Sequence, residues 1–209
     1  MNKEKILSLF KRLNYNTEDN KEGKNYRYFH PLRIWEMVKL IVKKEKIDHK
    51  IDMDIIFVLS LFHDLGRNEK LVKKNNLSNF KDNFDQNNLI LFKKYINPLL
   101  KNKGDVARLE KIVSDFSLKK YEFLESRIVR DADNLDEIGL LNFWRMAVYA
   151  GKHNQDIKEI SDYYYNFDQD DKVKKMKKLF LPFSKKIAKE RIKEMNKTMK
   201  IFREINFLE

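Results

Sequence analysis

Three prolines and five glycines in 209 residues leave this chain few places to turn sharply. Tight turns draw on both residue types, and a sandwich or barrel of short strands needs many such turns. The chain is instead rich in Lys, Glu, Leu, Ile and Phe, a composition suited to helices joined by short connections. Hydrophobic residues make up 42%, enough for a real core at this length. The expected architecture is all-α, a single helical bundle over 1–209.

Cysteine is absent. That excludes disulfides and thiolate metal sites, so a metal would have to sit on histidines and carboxylates. A chain without disulfides also fits a reducing compartment. Met1 to Leu13 mixes charge with apolar residues and lacks the unbroken apolar stretch of a signal peptide. The longest apolar run, Ile55 to Phe62, is too short to cross a bilayer. A soluble cytoplasmic protein with no membrane partner is expected. The formal net charge of +12 suits an anionic partner. Lysine is spread along the whole chain beside abundant Asn and Ile, however, which favours compositional bias over a dedicated nucleic-acid surface.

Apolar spacing places helices along the chain. Met1 to Leu13 reads as the first. A second begins near Pro31, since proline is tolerated in a first helical turn, and carries Ile34, Met37, Val38, Ile41 and Val42. Asp54 to Phe62 is apolar nearly all round and is expected at the centre of the fold. It stops at Gly66. Leu89 to Ile96 and Asp105 to Phe116 follow, then one long helix from Glu122 to Tyr149. Lys172 to Phe207 forms one or two terminal helices with a break at Pro182. The Lys172 to Lys178 stretch reads as amphipathic with a basic outer face.

Four histidines are present. His49 and His153 lie in polar connections and are expected in solvent. His30 and His63 lie beside the most apolar segments, and Asp64 follows His63 directly. Imidazole and carboxylate together bind divalent metals well. A carboxylate buried beside a histidine is costly without a compensating charge, which a metal ion would supply.

Three segments carry a resemblance: Phe29-His30-Pro31-Leu32-Arg33-Ile34, Leu61-Phe62-His63-Asp64-Leu65-Gly66-Arg67, and Asp131-Ala132-Asp133-Asn134-Leu135-Asp136-Glu137-Ile138-Gly139. Together they resemble the HD superfamily of metal-dependent phosphohydrolases, whose pattern is a His, then His-Asp, then a distal Asp on a helical bundle. The resemblance covers roughly 30–139, with weaker similarity in Phe180 to Met195 to the closing helix of a bacterial branch, some of whose members cleave nucleoside triphosphates. It implies a metal-site core at about 26–149 and C-terminal helices at about 156–207. It also implies His30, His63, Asp64 and Asp133 as metal ligands. At about 100° per residue, Asp131 lies nearer the stripe Leu124, Ile128, Leu135 and Ile138, whereas Asp133 lies nearer Val129, Asp136, Leu140 and Trp144. The Ala-Asp-x-Leu setting of the family selects Asp133, with Asp131 as a supporting or substitute carboxylate.

Two-metal members of the superfamily carry further histidines before the distal Asp. Here Leu65 to Arg130 has none, and the carboxylates Asp82, Asp85 and Asp115 are the available substitutes. One divalent transition metal is therefore expected (Mn, Fe, Co or Ni, with Mg suiting the set less well). Asp64 and Glu69 are the candidate acid–base groups. Arg33, Arg67 and Arg145 are candidates for stabilising phosphoryl charge. Arg145 would lie on the same long helix as Asp133, about 18 Å along it at ~1.5 Å per residue. Tyr163, Tyr164 and Tyr165 are expected to pack in or at the edge of the core rather than to stack on a base.

No Gly-rich phosphate loop, dinucleotide fingerprint or Gly-x-Ser-x-Gly elbow occurs. The expected activity is metal-dependent hydrolysis of a phosphorylated small molecule, a nucleotide in the first instance. The alternatives are a phosphodiesterase acting on cyclic or oligonucleotides and a non-catalytic module that binds nucleotide or RNA.

Overall fold

The computed structural model describes residues 1–15, 18–19, 23–78, 83–100 and 103–207. Among them are eleven α-helices and a two-residue ladder between Glu18–Asp19 and Gly23–Lys24. The chain divides into two compact units, 1–18 with 24–130 and 19–23 with 131–209. Among the described residues no helix is long and apolar enough to cross a membrane.

The first unit contains α1 (Lys3–Asn14), α2 (Tyr26–Glu45), α3 (Met53–Phe62), α4 (Glu69–Lys74), α5 (Phe84–Tyr95), α6 (Lys103–Ser117) and the start of α7 (Leu124–Asp136). At its centre is α3. All eight residues from Ile55 to Phe62 are buried, as a helix apolar on every face must be. Asp52 caps it, accepting hydrogen bonds from the backbone N–H of Asp54 and Ile55. α1 and α2 pack on α3, and α5 packs on α6 and on the short 3-10 turn Leu65–Arg67 that follows α3.

α2 starts earlier than the proline suggests. It begins at Tyr26, after Asn25 at φ +62°, and Pro31 lies inside it, buried. Asparagine is one of the few residues that enter the left-handed region readily, and its turn launches the helix. His30 is thereby placed within the helix, in line with the buried residues Ile34, Val38 and Ile41 at intervals of four, four and three.

Gly66 serves close packing rather than simply ending a helix. A Cβ there would lie 2.2 Å from the carbonyl oxygen of Phe84 and 2.6 Å from the N of Asn88. The Gly66 N–H also donates to Asn88 Oδ1 at 3.2 Å. Only glycine lets α5 approach the turn so closely.

The second unit contains the remainder of α7, then α8 (Leu140–Lys152), α9 (Ile157–Tyr163), α10 (Gln169–Lys177) and α11 (Pro182–Phe207). The expected long helix from Glu122 to Tyr149 is two helices. Gly139, at φ +102°, breaks it, a conformation open to glycine and strained for other residues. Arg145 therefore sits on α8, not on the helix of Asp133. α11 packs on α8, α9 and α10 and begins at Pro182, where a missing N–H costs nothing. A π-helical turn, Tyr164–Asp168, joins α9 to α10. Tyr164 is 1% exposed and packs with Met195 and Met199, while Tyr163 is exposed.

Lys172 and Lys175 depart from the expected basic outer face. Lys172 is buried with its Nζ 3.1 Å from Asp168, and Lys175 pairs with Glu137 and with Asp171. Burial lowers the affinity of Lys175 for its proton, but Glu137 and Asp171 outweigh it and hold the ammonium above the usual lysine range.

Candidate metal centre

His30, His63 and Asp64 come together in the first unit, each offering a ligand atom, with all three atoms within 4.8 Å of one another. His30 projects from α2, His63 is the residue that ends α3, and Asp64 follows at φ −108°, ψ 16°. That conformation belongs to the sparsely populated bridge region where many active-site residues sit. His30 is 3% exposed and His63 is 4%, so neither ring is a solvated surface histidine.

The hydrogen bonds set the chemistry of His63. Its Nδ1 is 2.9 Å from the backbone carbonyl oxygen of Ser60. A carbonyl only accepts, so Nδ1 carries a proton, and in the neutral ring Nε2 keeps its lone pair. That Nε2 lies 3.3 Å from His30 Nε2. Two nitrogens about 2.1 Å from one metal, at angles between octahedral and tetrahedral, are separated by about 3.0–3.4 Å. The imidazole pair thus has the spacing of two ligands on one ion. Asp64 Oδ1 is 3.9 Å from His63 Nε2, slightly wider. The donor set of two imidazoles and a carboxylate fits a divalent transition metal.

Aromatic rings fix the imidazoles. Tyr26 stacks on His30 with centroids 5.1 Å apart and planes 11° apart, and Phe116 from α6 meets the His63 ring edge-on at 5.8 Å. The Arg33 guanidinium lies 5.7 Å from the Tyr26 ring centroid, a cation–π distance. Asp64 is flanked by two guanidinium groups. Arg67 Nε is 3.3 Å from Oδ1, and Arg27 Nη1 is 3.4 Å from Oδ2.

The other expected site residues are placed as follows. Glu69 is exposed in the first turn of α4 and is not part of the three-residue cluster. Asp85 pairs with Lys119 at 2.9 Å. Asp115 is buried and accepts hydrogen bonds from the backbone N–H of Glu122 (2.9 Å) and Phe123 (3.3 Å). Both are committed to structural partners. Asp82 lies outside the described residues. His49 and His153 are exposed as expected.

In the second unit, Asp131 is fully buried on α7. Its Oδ1 accepts from the N–H of Phe180 at 2.8 Å and its Oδ2 from the N–H of Leu181 at 2.9 Å. Burial pushes its carboxyl above the ordinary aspartate range, against the pull of those two bonds. Asp133, two residues on, is half-buried. Arg145 Nη2 lies 3.9 Å from Glu137 and lines a cavity of about 580 Å³ with Glu137, Tyr149, Tyr163 and Lys175.

Arg27 and Tyr26 were not legible as site residues from spacing. With the helix expected to begin near Pro31, both fall before it. With the helix begun at Tyr26 they lie one turn before His30, at i−3 and i−4, where side chains share a face.

No protein-family model matches the sequence, and no curated protein matches it. Solved structures do match. YpgQ of Bacillus subtilis in complex with ADP aligns with a TM-score of 0.67 at 18% identity, covering 98% of this chain and 97% of that one. An HD-superfamily hydrolase from Bacillus thuringiensis aligns with a TM-score of 0.65 at 16% identity, covering 97% and 95%. A predicted HD superfamily hydrolase from an uncultured Thermotogales bacterium aligns with a TM-score of 0.64 at 16% identity, covering 95% and 90%. The chain has the helical fold of the HD-superfamily hydrolases.

Proposed function

We propose that this protein is a metal-dependent phosphohydrolase of the HD type acting on a nucleotide. The observation that carries the reading is the convergence of His30 Nε2, His63 Nε2 and Asp64 Oδ1, with guanidinium groups on the carboxylate. The proposal takes the chain as one HD-type domain over 1–209 in a cytoplasmic setting. The near-complete coverage of both chains in the structural matches supports that organisation.

His30, His63 and Asp64 would hold the metal, with Asp133 as fourth ligand. Asp131 has both oxygens engaged by backbone N–H groups, which supports Asp133 over its neighbour. When bound, the divalent ion would lower the pKa of a coordinated water and polarise a phosphoryl oxygen. Asp64 would serve both as ligand and, with Glu69, in moving the proton of the attacking water. Arg33, Arg67 and Arg145 would hold phosphate oxygens, where negative charge builds during phosphoryl transfer. ADP in the similar YpgQ structure supports a nucleotide as the substrate class.

A hydrolysis screen of nucleoside mono- and triphosphates with Mn²⁺ and Co²⁺ tests the reading. Phosphate or pyrophosphate release abolished by chelator and by Asp64→Ala is the expected result. Salt-dependent RNA binding that is indifferent to His63→Ala, with no hydrolysis, would favour a basic binding module instead.

A further inference from the structure

The turn that follows His63 carries Asp64 and must hold its shape between α3 and α4. Its own backbone supplies two bonds, from the Arg67 N–H to the Asp64 carbonyl at 3.0 Å and from the Asn68 N–H to the Leu65 carbonyl at 3.1 Å. The Gly66 N–H donates outside the turn, to Asn88 Oδ1 on α5 at 3.2 Å. An N–H only donates, so the amide of Asn88 turns its oxygen to Gly66 and its nitrogen the other way. That nitrogen donates to Ser117 Oγ, 3.1 Å away at the last residue of α6. Asn88 and Ser117 are each 3% exposed, so water does not readily replace a bond lost there.

The two segments that the amide joins each serve a ligand. Gly66 lies two residues past Asp64. Ser117 directly follows Phe116, whose ring meets the His63 imidazole edge-on at 5.8 Å. One uncharged side chain on α5 thus ties the turn that sets Asp64 to the helix end that braces His63. Its neighbour provides a comparison. Asn87 is equally buried on the same helix, and its Nδ2 donates to the Ser78 carbonyl, 2.7 Å away in the segment after α4. That bond leads to neither the turn nor α6.

We propose that Asn88 is a positioning residue for the metal centre. Its amide keeps Asp64 and His63 in register, so that both face the ion that His30 also meets. This rests on the metal centre proposed above, and it adds to that reading a residue on α5, a helix that carries none of the three ligands. Asn88 has no charge and does not titrate, so replacing it with leucine alters the site through geometry and leaves its charge unchanged.

The test is Mn²⁺ binding to the full chain, read from the free-Mn²⁺ electron paramagnetic resonance signal, with thermal melts to confirm folding. Loss of a group that orients a metal ligand typically weakens metal binding, so Asn88→Leu is expected to bind Mn²⁺ about ten-fold more weakly. Asn87→Leu also removes a buried hydrogen bond from α5. It should lower the melting temperature and bind Mn²⁺ as the unaltered chain does. Unchanged binding in folded Asn88→Leu would overturn the assignment. Equal weakening in Asn87→Leu would overturn it too, by showing only a general loosening of α5. Should Asn88→Leu fail to fold, Ser117→Ala decides. It removes the α6 half of the bridge, so about three-fold weaker binding is expected, and unchanged binding would overturn the bridge. No Mn²⁺ binding by the unaltered chain would overturn the metal centre itself, a distinct outcome.

Discussion

His63 donates from Nδ1 to the carbonyl oxygen of Ser60, 2.9 Å away and one turn back at the end of α3. That bond fixes the direction of the ring and the tautomer of its neutral form, in which Nε2 presents a lone pair 3.3 Å from His30 Nε2. A site so arranged depends on the end of one buried helix. His63→Ala should abolish Mn²⁺ binding. It also leaves a cavity and removes the hydrogen bond to the Ser60 carbonyl, for a stability loss of about 2–4 kcal/mol. Calorimetric Mn²⁺ titration and urea denaturation check the two parts separately.

Gly66 holds α5 against the turn that carries Asp64 and Arg67. A methyl group there meets the Phe84 carbonyl at 2.2 Å and Asn88 N at 2.6 Å, both backbone atoms that cannot step aside alone. Gly66→Ala should destabilise the protein by about 1–3 kcal/mol or more. A lowered urea midpoint with an unchanged denaturant slope is the expected result, because the fold itself is retained.

Asp131 and Asp133 should separate cleanly. Asp131→Ala removes two hydrogen bonds to the backbone just before α11. A loss of about 1–2 kcal/mol is expected, the scale of a helix cap, with metal content retained. Asp133→Ala should lose metal with little change in melting temperature. The reverse assignment of metal loss would make Asp131 the ligand.

Asp54 gives a pH signature away from the site. Partial burial raises its carboxyl, but Lys3 at 3.0 Å and the Met1 amine at 3.3 Å outweigh that and hold it below the ordinary aspartate value of 3.8. The folded state thus binds fewer protons than the unfolded one in that window. The stabilisation is complete above the unfolded pKa and is lost as pH falls through the folded pKa. In Asp54→Asn the acid-side decline of melting temperature between about pH 4 and pH 2 should be shallower. Parallel curves for the two proteins would contradict this.

Much of the frame is legible in the sequence because it follows from periodicity. α3 announces itself as an apolar run interrupted only by Ser60, and its burial follows. The His63-Asp64 pair and His30 stand out because so few histidines exist and these two flank apolar segments. What is not legible depends on backbone torsions that a hydrophobic pattern does not encode. Asn25 in the left-handed region starts α2 five residues before Pro31, which hides Tyr26 and Arg27 from a spacing argument. Gly139 at φ +102° divides what apolar periodicity joins and moves Arg145 to another helix. Asp131 and Asp133 differ by partners supplied from Phe180 and Leu181, nearly fifty residues on, and no local signal reports such a contact. Lys175 turns inward to Glu137, a partner likewise remote in sequence, whereas the Lys172–Asp168 and Lys175–Asp171 pairs are one helical turn apart.

The central claim is that His30, His63 and Asp64 hold a divalent metal. Elemental mass spectrometry of the purified protein and of Asp64→Ala, each incubated with Mn²⁺ and desalted, tests it most directly. The account predicts about one metal ion per chain in the unaltered protein, as for a single catalytic site, and none in Asp64→Ala. Absence of bound metal in both proteins, or equal metal in both, would contradict it.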